Sequence, residues 1–269
     1  MAAIAISTPL EKQTRNHQIL IVHIMKTMTH LKKGISALLA LALMLTFSSC
    51  YKDGICIRGN GQPEIEIRSV GNFDEVINNG SFEVRIVPAT YYEVEVDAES
   101  NLLSYIRTSV SGQRLFIETD ENRCINNSMS MIVTVYTPYV DGIELNGSGS
   151  VTADDLFLDE LKLRLNGSGE ITVDDIDVLQ INAKISGSGR ISLSGIAETT
   201  DFSITGSGNI EAFQLNQQRC FATISGSGNM YVRVSSLLDA IISGSGNIYY
   251  RGNPDVVQQI SGSGRVIKQ

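Results

Sequence analysis

Two pairs of aspartates have residue types and a spacing that could do chemistry. Asp154-Asp155 and Asp174-Asp175 lie twenty residues apart. Carboxylate clusters suit hard cations such as Ca²⁺, and two carboxylates about 5–10 Å apart can hydrolyse a glycosidic bond. A solvated turn is the third interpretation, and we favour it because such pairs do not continue into the later repeats. The sequence therefore predicts no metal site and no cofactor, with Ca²⁺ at these aspartates as the alternative.

Histidine is missing where a catalytic centre would need it. The three histidines of the chain all lie in the first 49 residues. A His-based triad, a His general base and a His-containing zinc site are therefore excluded from the rest. We predict that the protein is not an enzyme. The alternative is a carbohydrate-active enzyme on a β-helix that uses the aspartate pairs, although Trp is absent and sugar-stacking aromatics such as Tyr231 and Tyr249-Tyr250 are few.

The charge of the chain after the first 49 residues is strongly acidic. Residues 50–269 carry 21 − 5 = 16 basic and 29 − 1 = 28 acidic side chains, a net charge of −12. Binding to a phosphate backbone requires clustered Lys and Arg. We therefore expect no nucleic-acid partner.

The N-terminal segment predicts export and attachment to a membrane. An apolar run at 35–47 follows Lys32-Lys33 and has the length of a signal-peptide core. Two serines then precede Cys50, which resembles a lipobox, so we predict a lipid on Cys50 and an outer-membrane lipoprotein. A plain signal peptide or a buried apolar helix is the alternative. The sequence leaves open whether the protein faces the cell surface or the periplasm.

Domain boundaries follow from this segment and from the repeats described next. Residues 1–49 are predicted as the leader, with a true start at Met25 or Met28, and 50–62 as the lipidated N-terminus and linker. Residues 63–140 are predicted as a strand-rich cap and 141–269 as the repeats. Chains of this length form one large domain or two small ones.

Three cysteines remain after Cys50, and their surroundings predict different roles. Cys220 falls at an apolar position of the repeat, so it is predicted to be a buried thiol. Cys56 and Cys124 are then available for a disulfide in an oxidising envelope.

The tripeptide Gly-Ser-Gly recurs seven times, with steps of 20, 20, 19, 20, 18 and 18 residues. A near-constant period of about twenty residues is typical of a solenoid. The seven turns are Gly147, Ser148, Gly149; Gly167, Ser168, Gly169; Gly187, Ser188, Gly189; Gly206, Ser207, Gly208; Gly226, Ser227, Gly228; Gly244, Ser245, Gly246; and Gly262, Ser263, Gly264.

The residues around each turn predict strands. A large aliphatic residue lies two positions before every turn, from Leu145 to Ile260, and two positions after it, from Val151 to Val266. Apolar residues recur with a period of two, as in strands. An antiparallel meander would alternate the turns between the two ends of a sheet, whereas stacked parallel coils place like residues above one another. We therefore predict an all-β, parallel β-helix-like solenoid of about seven coils, preceded by a strand-rich capping region.

Two interpretations of the Gly-Ser-Gly turns remain open. Glycine permits positive φ and a close backbone approach where the coil bends. The serine hydroxyls then form a row, which is either a binding face or the solvated edge of a structural turn. We favour the solvated edge, because the turn itself accounts for the glycines.

Several stretches resemble a known family. They are Ile57-Arg58-Gly59-Asn60-Gly61, Tyr136-Thr137-Pro138 leading into Ile143-Glu144-Leu145-Asn146, and the Ser-Gly-Ser-Gly-Asn-Ile segment at 243–248. Over roughly residues 57–269 the sequence resembles the GIN-domain family, described as autotransporter adhesin heads and common in lipoproteins of Bacteroidetes. The resemblance implies a β-rich fold with a parallel coiled part and no catalytic residues. We expect a non-catalytic binding or structural module, adhesive in character, that contacts glycans, host proteins or envelope components.

Overall fold

The computed structural model describes residues 56–120 and 123–269. The predictions for the leader, for a start at Met25 or Met28 and for lipidation of Cys50 lie outside these residues. Within them, no helix is both long and apolar enough to span a membrane.

The described residues form strands joined by turns, with one short 3-10 helix. The strands are β1 (Ile57–Arg58), β2 (Pro63–Ser69), β3 (Glu75–Asn79), β4 (Glu83–Pro88), β5 (Glu93–Glu99), β6 (Ile106–Ser111), β7 (Arg114–Thr119), β8 (Ile125–Asn126), β9 (Ile132–Thr137), β10 (Gly142–Gly147), β11 (Ser150–Gly167), β12 (Glu170–Gly187), β13 (Arg190–Gly206), β14 (Asn209–Gly226), β15 (Asn229–Gly244), β16 (Asn247–Arg251), β17 (Asp255–Gly262) and β18 (Arg265–Lys268). The 3-10 helix spans Leu103–Tyr105.

The strands from β10 to β18 confirm the predicted parallel solenoid. Each pairs in parallel with the equivalent strand of the next lap, and the turns align, so that Gly147 lies opposite Gly167 and Gly167 opposite Gly187. The meander is thereby excluded. The seven turns enclose about six laps, close to the seven predicted, because β10 and β18 supply only part of a lap at each end.

Each full lap has three faces, which the burial pattern of β12 shows. Inward and outward residues alternate from Glu170, but two adjacent pairs are exposed together, at Asp174-Asp175 and at Leu179-Gln180. Because alternation is the rule on a flat strand, each exposed pair marks a corner. The Gly-Ser-Gly turn is the third corner. We call the face that follows this turn face A.

The interior consists of rows of inward aliphatic side chains, one from each lap, at the positions that the spacing predicts. We call these rows ladders. The ladders beside the turns are completely or almost completely buried from Leu145 to Ile242 and from Val151 to Ile248. The last lap departs from the prediction, because Ile260 and Val256 are partly exposed. In the described part of the chain, β17 and β18 pair with strands on one side only, so no further lap covers these residues.

The stacking begins earlier than the predicted boundary at residue 141. Strands β3 and β4 form a lap of their own, joined through Gly80 and paired in parallel with β10 and β11. Strands β7 and β9 stack on them in parallel. Antiparallel strands then close this end: β6 pairs with β7, and β5 pairs with β9 and β2. The first part of the cap therefore continues the parallel stack of the solenoid, and its antiparallel strands then close that stack.

Candidate functional site

The backbone geometry of the Gly-Ser-Gly corners accounts for both glycines. The first glycine has a positive φ at every corner, 138° at Gly187. A Cβ on Gly187 would lie 2.3 Å from the carbonyl oxygen of Gly167, and one on Gly189 would lie 2.5 Å from that of Gly169. The Gly167 carbonyl accepts hydrogen bonds from the N–H groups of Ser188 and Gly189, at 2.9 and 3.1 Å. The seven serines between the glycines are all exposed in a row.

The aspartate pairs lie in register at another corner. Asp154 lies opposite Asp174, and both Asp155 and Asp175 have a positive φ, of 59° and 51°. Asp is one of the residues that tolerate this conformation, so the corner itself accounts for them. Asp174 accepts a 2.7 Å hydrogen bond from the Ser194 hydroxyl of the next lap. Among residues 56–120 and 123–269, no group of three or more His, Cys, Asp or Glu is placed to hold a metal ion.

The cysteines are well separated in the fold. Cys56 and Cys124 are joined by a disulfide, with Cα atoms 4.4 Å apart, beside the short parallel pair β1 and β8. Cys220 is completely buried in an inward ladder, and this burial raises the pKa of its thiol to about 12. The Cys220 side chain is therefore an uncharged part of the core at neutral pH.

A change in lap length creates an irregular region on the outer surface. Ala212 lies opposite Val232, yet the next paired residues are Asn216 and Arg233. Strand β14 therefore carries a bulge of three residues, 213–215. Bulges redirect side chains, and they are common beside binding sites. In the sequence, this is where the repeat shortens from 20 to 18 residues.

The bulge places Phe213 in an aromatic cluster on face A. Tyr231 and Tyr249 lie in register and stack, with ring centres 5.0 Å apart and planes at 8°. Phe213 meets Tyr231 edge to face at 5.5 Å. The Arg251 guanidinium lies 4.0 Å from the centre of the Phe213 ring, a cation–π contact.

A groove of about 460 Å³ opens beside this cluster, and we call it the aromatic groove. Polar side chains line it together with two rings of the cluster. Burial and the neighbouring Tyr249 and Glu211 raise the pKa of Tyr231, so its phenol is neutral at physiological pH. The lining consists of Asp174, Ser192, Leu193, Ser194, Glu211, Phe213, Gln214 and Tyr231.

A second groove of about 560 Å³ lies on the other side of the bulge. Its lining includes the exposed Leu179 and Ile196 and the buried Gln217. The Gln217 Oε1 accepts a hydrogen bond from the Thr200 hydroxyl, whereas its Nε2 has no partner. This groove is lined by both apolar and polar side chains and contains no aromatic residue.

Of the residues with a predicted chemical role, the structure brings few together. The aspartates lie at one corner and the turn serines at another, and Asp174 alone of the four aspartates lines the aromatic groove. The sequence pointed to Tyr231 and Tyr249 as aromatics but did not predict a site, and it missed Phe213. The available signal was a Tyr at the same offset in two successive repeats, just where the period shortens.

These features define the class of protein: a capped parallel β-solenoid with a groove on its outer face. The chain belongs to the family described as "Putative auto-transporter adhesin, head GIN domain", which matches residues 72–254. The resemblance seen in the sequence is thereby confirmed.

Solved structures share the fold. One, described as a putative adhesin from Bacteroides fragilis, is 22% identical, with a TM-score of 0.74, and the match covers 79% of this chain and 100% of that one. Another, described as a putative lipid binding protein from Parabacteroides distasonis, is 26% identical, with a TM-score of 0.68 over 79% and 99% of the two chains. No curated protein matches the chain.

Proposed function

We propose that the chain is an exported, non-catalytic adhesive module, held at the outer membrane by a lipid on Cys50. The observation that carries the adhesive role is the aromatic groove on a rigid parallel sheet. Phe213, Tyr231 and Tyr249 contact one another across successive laps, so little conformational entropy of these rings is lost when a ligand binds. Membership of the adhesin-head family supports the same role.

The alternative of a carbohydrate-active enzyme has less support. Asp155 and Asp175 are accounted for by the corner that they form. The Asp174 carboxylate is engaged by Ser194. Release of reducing ends from a polysaccharide panel, lost in Asp154→Asn or Asp174→Asn, would establish the enzyme instead.

Lipid attachment can be tested by metabolic labelling with an alkyne-bearing palmitate. The full-length chain is expected to take up the label and to sediment with membranes, whereas Cys50→Ser loses both properties. Ser49→Ala is the matched control, because Ala is also small and should leave the label in place. Equal labelling of Cys50→Ser and the parent chain would contradict the proposal.

Adhesion can be tested on cells that display the full-length chain. Protease treatment of intact cells is expected to remove the protein and to abolish attachment to glycan- or protein-coated surfaces. Protection from protease until the outer membrane is opened would place the protein on the periplasmic side, and the adhesive role would then fail.

A further inference from the structure

We propose that the aromatic groove binds a neutral glycan, with a pyranose ring stacked against Tyr231. This inference rests on the proposed adhesive function and assigns its ligand class and its site.

The aromatic cluster is already arranged to receive a sugar ring. Tyr249 stacks on one face of Tyr231 at 5.0 Å, and Phe213 of the preceding lap contacts Tyr231 edge to face at 5.5 Å, so the ring is held in place by two neighbours. Tyr249 belongs to the lap after Tyr231, whereas Ser192 and Asp174 belong to earlier laps. The groove therefore extends from Tyr231 toward the earlier laps, away from Tyr249, and Tyr231 lines it together with Phe213 and Glu211 of the preceding lap.

The polar lining matches the hydroxyl groups of a sugar. The second carboxylate oxygens of Asp174 and Glu211 can accept hydrogen bonds, and the Ser192 hydroxyl can donate and accept. The Ser194 hydroxyl donates to Asp174 and can still accept. Gln214, exposed on the bulge, can also do both. An apolar platform with a few polar groups placed to fix orientation is the usual composition of a small-ligand site, and 460 Å³ falls within the usual size of about 300–1,000 Å³.

The charges favour a neutral glycan over an acidic one. Asp174 and Glu211 line the groove, and a sialic or uronic acid would meet these carboxylates in a protein of high negative charge. Two nearby cations are already engaged. Arg190 forms an ion pair with Glu211 at 3.4 Å, and Arg251 lies over Phe213.

The experiment uses the full-length chain, purified from membranes in detergent, on an array of immobilised neutral, sialylated and uronic-acid-containing oligosaccharides. We expect neutral oligosaccharides to be retained in preference to the acidic ones. Tyr231→Ala should weaken binding by at least about tenfold through loss of stacking, whereas Tyr231→Phe should retain most of it. Phe157→Ala is the matched control, because Phe157 is 68% exposed on another part of the surface.

A second variant tests charge selectivity, and it leaves the residues of the aromatic cluster unchanged. Glu211→Gln should raise the binding of acidic oligosaccharides relative to neutral ones. A thermal unfolding curve for each variant, within about two degrees of the parent, separates loss of binding from loss of folding.

Three outcomes would overturn the assignment. They are retention of no neutral oligosaccharide, equal binding by Tyr231→Ala, and a preference for acidic oligosaccharides. Cells that display Tyr231→Ala and attach as well as the parent would refute the glycan site while leaving the adhesive function in place. Parent cells that fail to attach to any surface would instead refute the adhesive function.

Discussion

At the residue scale, a few buried polar side chains interrupt an otherwise apolar interior. Thr200 lies in an inward ladder and is completely buried, and its hydroxyl donates to Gln217 of the next lap. The sequence marks Thr200 as a break in the ladder but does not reveal its partner, because Gln217 lies in a different inward row, in register with Ala197 and Val234. Contacts between non-equivalent residues depend on tertiary packing, which the period of the repeat does not specify.

Removal of one member of this pair should destabilise the protein more than removal of both. Thr200→Val leaves a second unsatisfied atom on Gln217 and should lower the free energy of unfolding by about 1–3 kcal/mol. Adding Gln217→Leu removes both polar groups of the amide and should recover much of that loss. Denaturant titration of the single and double variants measures the coupling. Simple additivity of the two changes would show that the hydrogen bond contributes nothing.

Glu99 gives the cap a dependence on pH. Its buried carboxylate accepts hydrogen bonds from the Ser128 hydroxyl at 2.7 Å and from the backbone N–H groups of Ser128 and Gly61 at 2.9 and 2.6 Å. The hydrogen bond from the Ser128 hydroxyl is the main cause that lowers the pKa of Glu99. The folded state therefore favours the ionised form, and the stability that this contributes is present above the unfolded pKa of about 4.3.

This contribution is lost as the pH falls through the lowered pKa of the folded state. We expect the thermal midpoint of the parent to fall more steeply between pH 6 and pH 3 than that of Glu99→Gln. Glu64→Gln is the control, since Glu64 is exposed on β2. Parallel pH profiles for the parent and Glu99→Gln would contradict the role assigned to this carboxylate.

At the scale of the elements, regular features were predictable and irregular ones were not. Ile185 and Ile191 flank a corner with period two, and both are buried as expected. The bulge at 213–215 was missed. A shortened period shows that one lap has fewer residues than the lap before it, but it does not show where the longer strand bulges to accommodate the difference. The lap through Gly80 was missed because it lacks the Gly-Ser-Gly tripeptide. The position of Ile260 in the repeat also predicted that its side chain is buried. Burial at this position requires a further lap stacked on the last one, which the period of the repeat does not indicate.

The corner glycines should be intolerant of any side chain, while the serine between them should tolerate change. Gly187→Ala places a Cβ against the Gly167 carbonyl at a positive φ, so it should lower the free energy of unfolding by about 2–4 kcal/mol. Ser188→Ala, on an exposed side chain, should change it by less than about 0.5 kcal/mol. Chemical denaturation of both variants makes the comparison, and equal effects would refute the structural account of the corner.

At the scale of the whole molecule, the two ends of the solenoid differ in how their last strands are covered. Antiparallel strands close the end that contains the disulfide, whereas β17 is exposed along its length and leaves Val257 56% exposed. Exposed edge strands with apolar residues promote association between chains, and natural proteins often protect such edges with Lys.

Val257→Lys should therefore reduce association without changing the fold. We expect light scattering during slow heating to rise at a higher temperature, or to a lower level, than for the parent. Ile241→Lys is the control, because it adds the same single charge at an exposed position of the strand that β17 already covers. An unchanged scattering curve for Val257→Lys would show that this edge does not govern association.

The equal register of the laps has a consequence for how such chains can vary in length. Each lap rests on the one before through the same corner contacts, so an in-frame duplication or loss of about sixty nucleotides would add or remove a complete layer and restore every neighbour. A change of half that size would place inward residues opposite corners. Relatives of this protein should therefore differ in whole layers, and an altered count would move the aromatic groove nearer to or farther from the capped end without rebuilding it.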